Sequence, residues 1–274
     1  MDQLAQEEHT CKSCGNPFKG IYCNICGEKV LIPADRSFRS FLNGILLAVT
    51  LADTRFIKTV WLIIRSPGGL SKEFAEGRRV KYLKPLSLFF VLNLLYFLFP
   101  VIQVFSASLK TQLNSIQGVF AGSSVASKMI YLGIESVNSF AVLYNQKTGG
   151  LAKMLVILFV VIVSLPLNLI YRARNRYFTD HVGLAVELVC FNFLVILLTT
   201  LILNVAGVGN YVDERVLTGI FITLNLYFLV RAGKTFYEEG PLRLVLRSLL
   251  MLGVLRVSIE LYRIVLFYVT MAAL

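Results

Sequence analysis

The chain has 274 residues, of which 56% are hydrophobic and 16% charged, with a formal net charge of +11 and a mean hydropathy of +0.70. A soluble domain of this length carries roughly a quarter charged residues and interrupts its apolar runs more often, so the composition excludes an ordinary soluble protein. The positive charge follows the pattern of membrane topology rather than a nucleic-acid-binding patch, and no nucleic acid is expected as a partner.

The first thirty residues are polar and cysteine-rich and lack the basic-then-apolar leader of a secreted protein, so the N-terminus is expected to stay in the cytoplasm. Cys11-Lys12-Ser13-Cys14-Gly15 is followed, after eight residues, by Cys23-Asn24-Ile25-Cys26-Gly27. Two such knuckles facing each other give four thiolates in a tetrahedron, the geometry zinc takes in closed structural sites. The two-residue spacing lets both sulfurs of one knuckle reach a single ion, and the following glycine takes the positive φ that turns the chain away. Disulfides are the alternative, but cytoplasmic thiols are kept reduced. An iron centre fits the same ligands. Residues 1–32 are therefore expected to form a cytoplasmic zinc ribbon, with one structural Zn2+ on Cys11, Cys14, Cys23 and Cys26.

Residues 33–85 are mixed and basic. The stretch from about Phe38 to Arg65 is apolar but contains Asp53, Arg55 and Lys58, whose burial in a crossing helix would cost several kcal/mol. Phe38, Phe41, Leu42, Ile45, Leu46 and Val49 recur at helical spacing opposite Arg36, Arg39, Ser40 and Asn43. This predicts two short helices, lying in the interface or packed on the membrane body, with Trp61 as an interfacial anchor. The second ends at Ser66-Pro67-Gly68-Gly69. Beyond it, Arg78, Arg79, Lys81 and Lys84 form a basic cluster suited to anionic lipid headgroups and to fixing topology.

Residues 86–274 predict an all-α polytopic membrane domain of about five transmembrane helices: Leu86–Phe105, Leu151–Tyr171, Val182–Val205, Val216–Val230 and Leu244–Thr270. Of the 27 Lys and Arg, only Lys110, Lys128, Lys147, Lys153 and Arg215 fall in segments this arrangement places outside, and Arg256 and Arg263 lie within the last span. That bias predicts a bacterial inner-membrane protein with a cytoplasmic N-terminus and a periplasmic C-terminus. Residues 106–150 form the one sizeable external segment. Leu109, Leu113, Ile116 and Phe120 share a helical face, and Val125, Met129 and Leu132 begin another, so a small helical cap closed by Gly149-Gly150 is expected.

Polar residues inside the spans are candidates for function. Asn93, Asn168, Asn192, Asn204 and Asn225 suit hydrogen bonds between helices. Arg256, Glu260 and Arg263 lie on one face of the last span, as a buried ion network or as the lining of a polar cavity. His181 and Glu187 open the third span and, being six residues apart, do not share a helical face. Cys190 reads as packing.

The paired knuckles, Arg65-Ser66-Pro67-Gly68-Gly69, the run Glu76-Gly77-Arg78-Arg79-Val80-Lys81-Tyr82-Leu83-Lys84-Pro85-Leu86, the Tyr171-Arg172 to His181 stretch and Leu226-Tyr227-Phe228 together resemble an uncharacterised bacterial membrane family of unknown function, common in Bacteroidetes. The resemblance extends over nearly the whole chain. Its most specific part is the Gly-Arg-Arg-x-Lys-Tyr-x-x-Pro motif before the first span. It implies an inner-membrane zinc-ribbon protein, with a second histidine where this chain has Glu187, and it supplies no activity. Three readings result: a non-enzymatic membrane adaptor or assembly factor that docks a protein partner or anionic lipid; a small transporter or lipid-handling protein with Arg256, Glu260 and Arg263 along its path; and a membrane metalloenzyme using His181 and Glu187.

Overall fold

The structure is a computed structural model and describes residues 8–11, 14–25, 54–78, 81–98, 104–114, 118–172, 176–207 and 214–274. Cys26, Arg79 and the helix expected over Phe38–Val49 lie outside the described residues. The chain divides into two compact units, Met1–Ile57 and Lys58–Leu274.

In the first unit, strands β1 (Glu8–Thr10) and β2 (Pro17–Lys19) pair antiparallel with His9 opposite Phe18. Phe18 is buried with Cys11 and Cys23.

In the second unit all described elements are helical. Helix α1 (Thr54–Arg65) ends at Ser66-Pro67, and α2 (Gly69–Ala75) begins directly after. The break expected at this tetrapeptide is present. Proline lacks the N–H that would continue α1, and Gly68 has φ 80°, a left-handed conformation that favours glycine. Helix α3 (Pro85–Leu98) starts on a proline, as helices often do. Then come α4 (Leu109–Leu113), α5 (Gly118–Leu132), α6 (Val137–Ile170), α7 (Phe178–Val205), α8 (Glu214–Thr235) and α9 (Pro241–Ala273).

Among the described residues, three helices are long and apolar enough to cross a membrane: α6, α7 and residues Arg215–Thr235 of α8. Helix α3 is apolar but shorter, at 14 residues. Helix α9 has 33 residues and carries Arg243, Arg247, Arg256, Glu260 and Arg263 along its length. The segment 106–150 is helical, but Gly149-Gly150 does not close it. Both glycines lie inside α6, which runs unbroken for 34 residues, about 50 Å. A glycine pair in a helix costs about 1 kcal/mol per residue, and the apolar neighbours on both sides outweigh it.

Helix α6 packs along α9 and α7, and α7 packs against α3. At the centre, Tyr96 of α3, Phe105, Phe159 of α6, Phe193 of α7 and Tyr262 of α9 meet in edge and tilted ring contacts 5.1–6.2 Å apart. The Tyr96 hydroxyl accepts from the backbone N–H of Val104 and Phe105, at 2.9 and 3.2 Å, which ties the chain after α3 back into this cluster. A second core joins Phe140 and Tyr144 of α6 to Leu109, Val125, Phe267 and Met271, with Leu113, Met129 and Leu132 packed around it. These include Leu109, Leu113, Val125, Met129 and Leu132 of the faces expected for the cap, while Ile116 and the Phe120 side chain lie outside the described residues.

Gly68 is held against α8. An added Cβ would meet the Ala232 Cα at 2.9 Å, whereas Gly77, at a similar φ of 84°, has nothing within 4 Å. Gly68→Ala combines a left-handed penalty with overpacking and should destabilise the body by about 3 kcal/mol, against about 1 kcal/mol for Gly77→Ala. Thermal unfolding of the two variants in detergent checks the difference; equal shifts would remove the close contact as its cause.

Candidate functional site

In the N-terminal unit, Cys11 leaves β1 and its N–H donates to the Asn16 carbonyl, while the Gly15 N–H donates back to the Cys11 carbonyl, both at 2.9 Å. Gly15 has φ 73°, the turn expected of a knuckle glycine. Asn16 donates to the Asn24 side chain at 2.9 Å and so links the two knuckles. The result brings the sulfurs of Cys11, Cys14 and Cys23 within 4.8 Å of one another. Cys14 and Cys23 are 3.6 Å apart, beyond a disulfide bond of about 2 Å. Sulfurs sharing one tetrahedral ion through 2.3 Å bonds stand about 3.8 Å apart, so these three thiols fit a metal ion.

The helical body holds a second concentration of polar groups, centred on Glu187 in α7. This carboxylate is fully buried. One oxygen accepts from the Gly68 N–H at 2.8 Å, and the other accepts from the Ser71 N–H at 2.8 Å and the Ser71 hydroxyl at 2.5 Å. The free N–H groups at the start of α2 thus point at a negative charge, the arrangement that helix N-termini favour. Both oxygens of Glu187 are thus hydrogen-bonded to the α1–α2 break.

His181 is also buried, one turn into α7. Its Nδ1 lies 2.7 Å from the Tyr237 hydroxyl. Burial pushes the Tyr237 hydroxyl well above its ordinary pKa, so it stays protonated, and in this contact either group can be the donor. The other ring nitrogen, Nε2, has no hydrogen-bond partner among the described residues. Tyr237 stacks on Tyr171 with centroids 3.7 Å apart, and the Arg247 guanidinium lies over Tyr171 while pairing with Glu239. Arg176 covers Phe236 and donates to its carbonyl at 3.1 Å. Tyr237, Glu239 and Arg247 were not singled out in the sequence; Tyr171, Arg176 and His181 fall in one short stretch, and only the fold brings the others to it.

The remaining candidates are spread apart. Glu260 accepts from both Arg256 and Arg263 on α9, and Arg263 also donates to the Val104 carbonyl at 3.1 Å. The expected face is therefore an ion network. A cavity of about 190 Å3 adjoins it, lined by Arg256, Asn192 and Asn225 among apolar residues. Asn192 and Asn225 exchange side-chain hydrogen bonds at 2.9 and 3.0 Å, and Asn93 donates to the Lys153 carbonyl at 2.9 Å. Cys190 is buried in α7. In the basic segment, Arg78 is occupied by Glu73 and Glu76, and the guanidinium holds the Glu73 carboxyl below its ordinary pKa. Lys81 and Lys84 remain exposed.

A family described as a protein of unknown function (DUF3667) matches residues 53–97, the stretch that contains α1, the Ser-Pro-Gly-Gly break, α2 and all but the last residue of α3. No curated protein and no solved structure matches the chain.

Removing the Glu187 carboxylate leaves two N–H groups and a hydroxyl buried without an acceptor. Glu187→Ala should lower stability by about 3 kcal/mol and Ser71→Ala by about 1 kcal/mol. Chemical unfolding in mixed micelles measures both; a Glu187→Ala protein as stable as the parent would show that this carboxylate does not hold the break.

Proposed function

We propose that the chain is a non-enzymatic bacterial inner-membrane adaptor or assembly factor. Its five spans are α3, α6, α7, α8 and α9, and its cytoplasmic N-terminal unit folds around one zinc ion on Cys11, Cys14, Cys23 and Cys26 and docks a protein partner. The observation that carries this reading is that the polar groups of the helical body bond chiefly to the body itself. Glu187 holds the α1–α2 break, Asn192 holds Asn225, and Glu260 holds two arginines. Such groups specify helix packing and leave little that could serve a path or a reaction. The zinc ligand set is closed, as in structural sites, and zinc bound there would supply folding energy rather than chemistry. Lipid handling is the second reading, supported by the cavity beside Arg256.

Purified protein should contain one zinc per chain by elemental analysis, and Cys14→Ser should lose it while the helical body keeps its thermal transition. A partner crosslinked to the full-length protein should be lost from the Cys14→Ser protein as well. A metal-free chain, or one loaded mainly with iron, would overturn the assignment of zinc.

For the topology, a membrane-impermeant thiol reagent added from the periplasm should label a cysteine at Ser127 and one appended after Leu274, and should spare one at Lys81. A protected C-terminal cysteine would mean an even number of spans.

A further inference from the structure

Helices α7 and α8 are consecutive in the chain yet touch little, because α7 packs on α3 and α6 while α8 packs on α9. The Asn192–Asn225 pair bridges them. Beside this bridge a groove of about 630 Å3 opens between the two helices, lined by Leu194, Leu198, Ile202, Ile220 and Leu224. It follows α7 from Phe191 to Leu203, about 18 Å. That is about three fifths of a hydrocarbon core about 30 Å thick. One end is closed by Ile64 of α1 and by Tyr227, whose hydroxyl donates to the Ile64 carbonyl at 3.2 Å.

Two cations stand just beyond that closed end. Arg65 is the residue after Ile64, and Arg231 lies one turn past Tyr227 and donates to the Arg65 carbonyl at 3.4 Å. Both are exposed, and among the described residues neither is paired with a carboxylate. Lys58, Trp61 and Arg65 form an exposed stripe on α1 that leads away from the groove. Tryptophan beside cations is the composition of a headgroup-level surface. We propose that the α7–α8 groove holds one acyl chain of an anionic phospholipid whose phosphate is bridged by Arg65 and Arg231. An acyl chain fills an apolar slot without hydrogen bonds of its own, and a phosphate can be shared by the guanidinium groups of two residues that meet at one backbone carbonyl. This lipid site is separate from the docking role proposed for the N-terminal unit.

Native mass spectrometry of the full chain, released from micelles containing equal phosphatidylglycerol and phosphatidylcholine, tests it. Phosphatidylglycerol adducts should exceed phosphatidylcholine adducts about thirtyfold, given about 1 kcal/mol for each of the two cations near an anionic headgroup. Arg65→Gln with Arg231→Gln should abolish that preference, and Thr199→Phe, which fills the groove, should remove both adducts. Equal adducts on the parent protein would overturn the proposal, as would a preference that survives the double change. Adducts unaffected by Thr199→Phe would place the lipid elsewhere. A lipid-free dimer that Thr199→Phe converts to monomer would assign the groove to a second copy of the chain.

Discussion

A buried carboxylate organises the body of this protein. Taking an isolated charge out of water costs far more than a typical fold can spare, and such a group persists only when hydrogen bonds replace its hydration. Glu187 receives three, all from the first turn of α2 and the glycine before it. The same bonds satisfy N–H groups that the helix start would otherwise leave without an acceptor. Each side solves the other's problem. This fixes where α1 and α2 rest on α7, and the close approach of Gly68 to Ala232 fixes them on α8.

From this anchor the neighbouring features follow. With α1 ending against α7 and α8, Ile64 and Arg65 are carried to the closed end of the α7–α8 groove, and Tyr227 and Arg231 meet their carbonyls. On the adjoining side, Tyr237 follows α8 and lies against the His181 ring, with Tyr171 stacked on Tyr237. The break that looks in sequence like mere punctuation is therefore the point where the α1–α2 segment joins the helical body.

How much of this was legible depended on the range of each interaction. The knuckle cysteines announce themselves because their ligand spacing is local, and three of the four were found converged. Long apolar runs mark α6, α7 and α8 because hydrophobic length is a property of one segment. The Ser66-Pro67-Gly68-Gly69 break and Glu187 were each visible, but nothing in the sequence pairs residues more than a hundred positions apart. Gly149-Gly150 misled for a related reason. Glycine pairs are a local breaker signal, and α6 continues through them because Tyr144 and Thr148 before them and Ala152 and Val156 after them are all buried in the bundle. The Arg78–Glu73 pairing was hidden too, since Glu73, five residues back, becomes its neighbour only once α2 has ended at Ala75.

The separation between Gly68 and its carboxylate, 119 residues, also sets an order of events during synthesis. A ribosome adding about 5–20 residues per second needs on the order of ten seconds to reach Glu187 after completing the glycine. Throughout that interval α1 and α2 have neither the carboxylate nor the Ala232 surface to rest on. They must wait at the membrane surface, where water and headgroups serve their open N–H groups, until α7 and α8 have entered the bilayer. The exposed Lys58, Trp61 and Arg65 are well placed for that wait, since side chains of this kind hold a helix at the headgroup level without drawing it into the hydrocarbon. The N-terminal part of the body is thus made early and seated late.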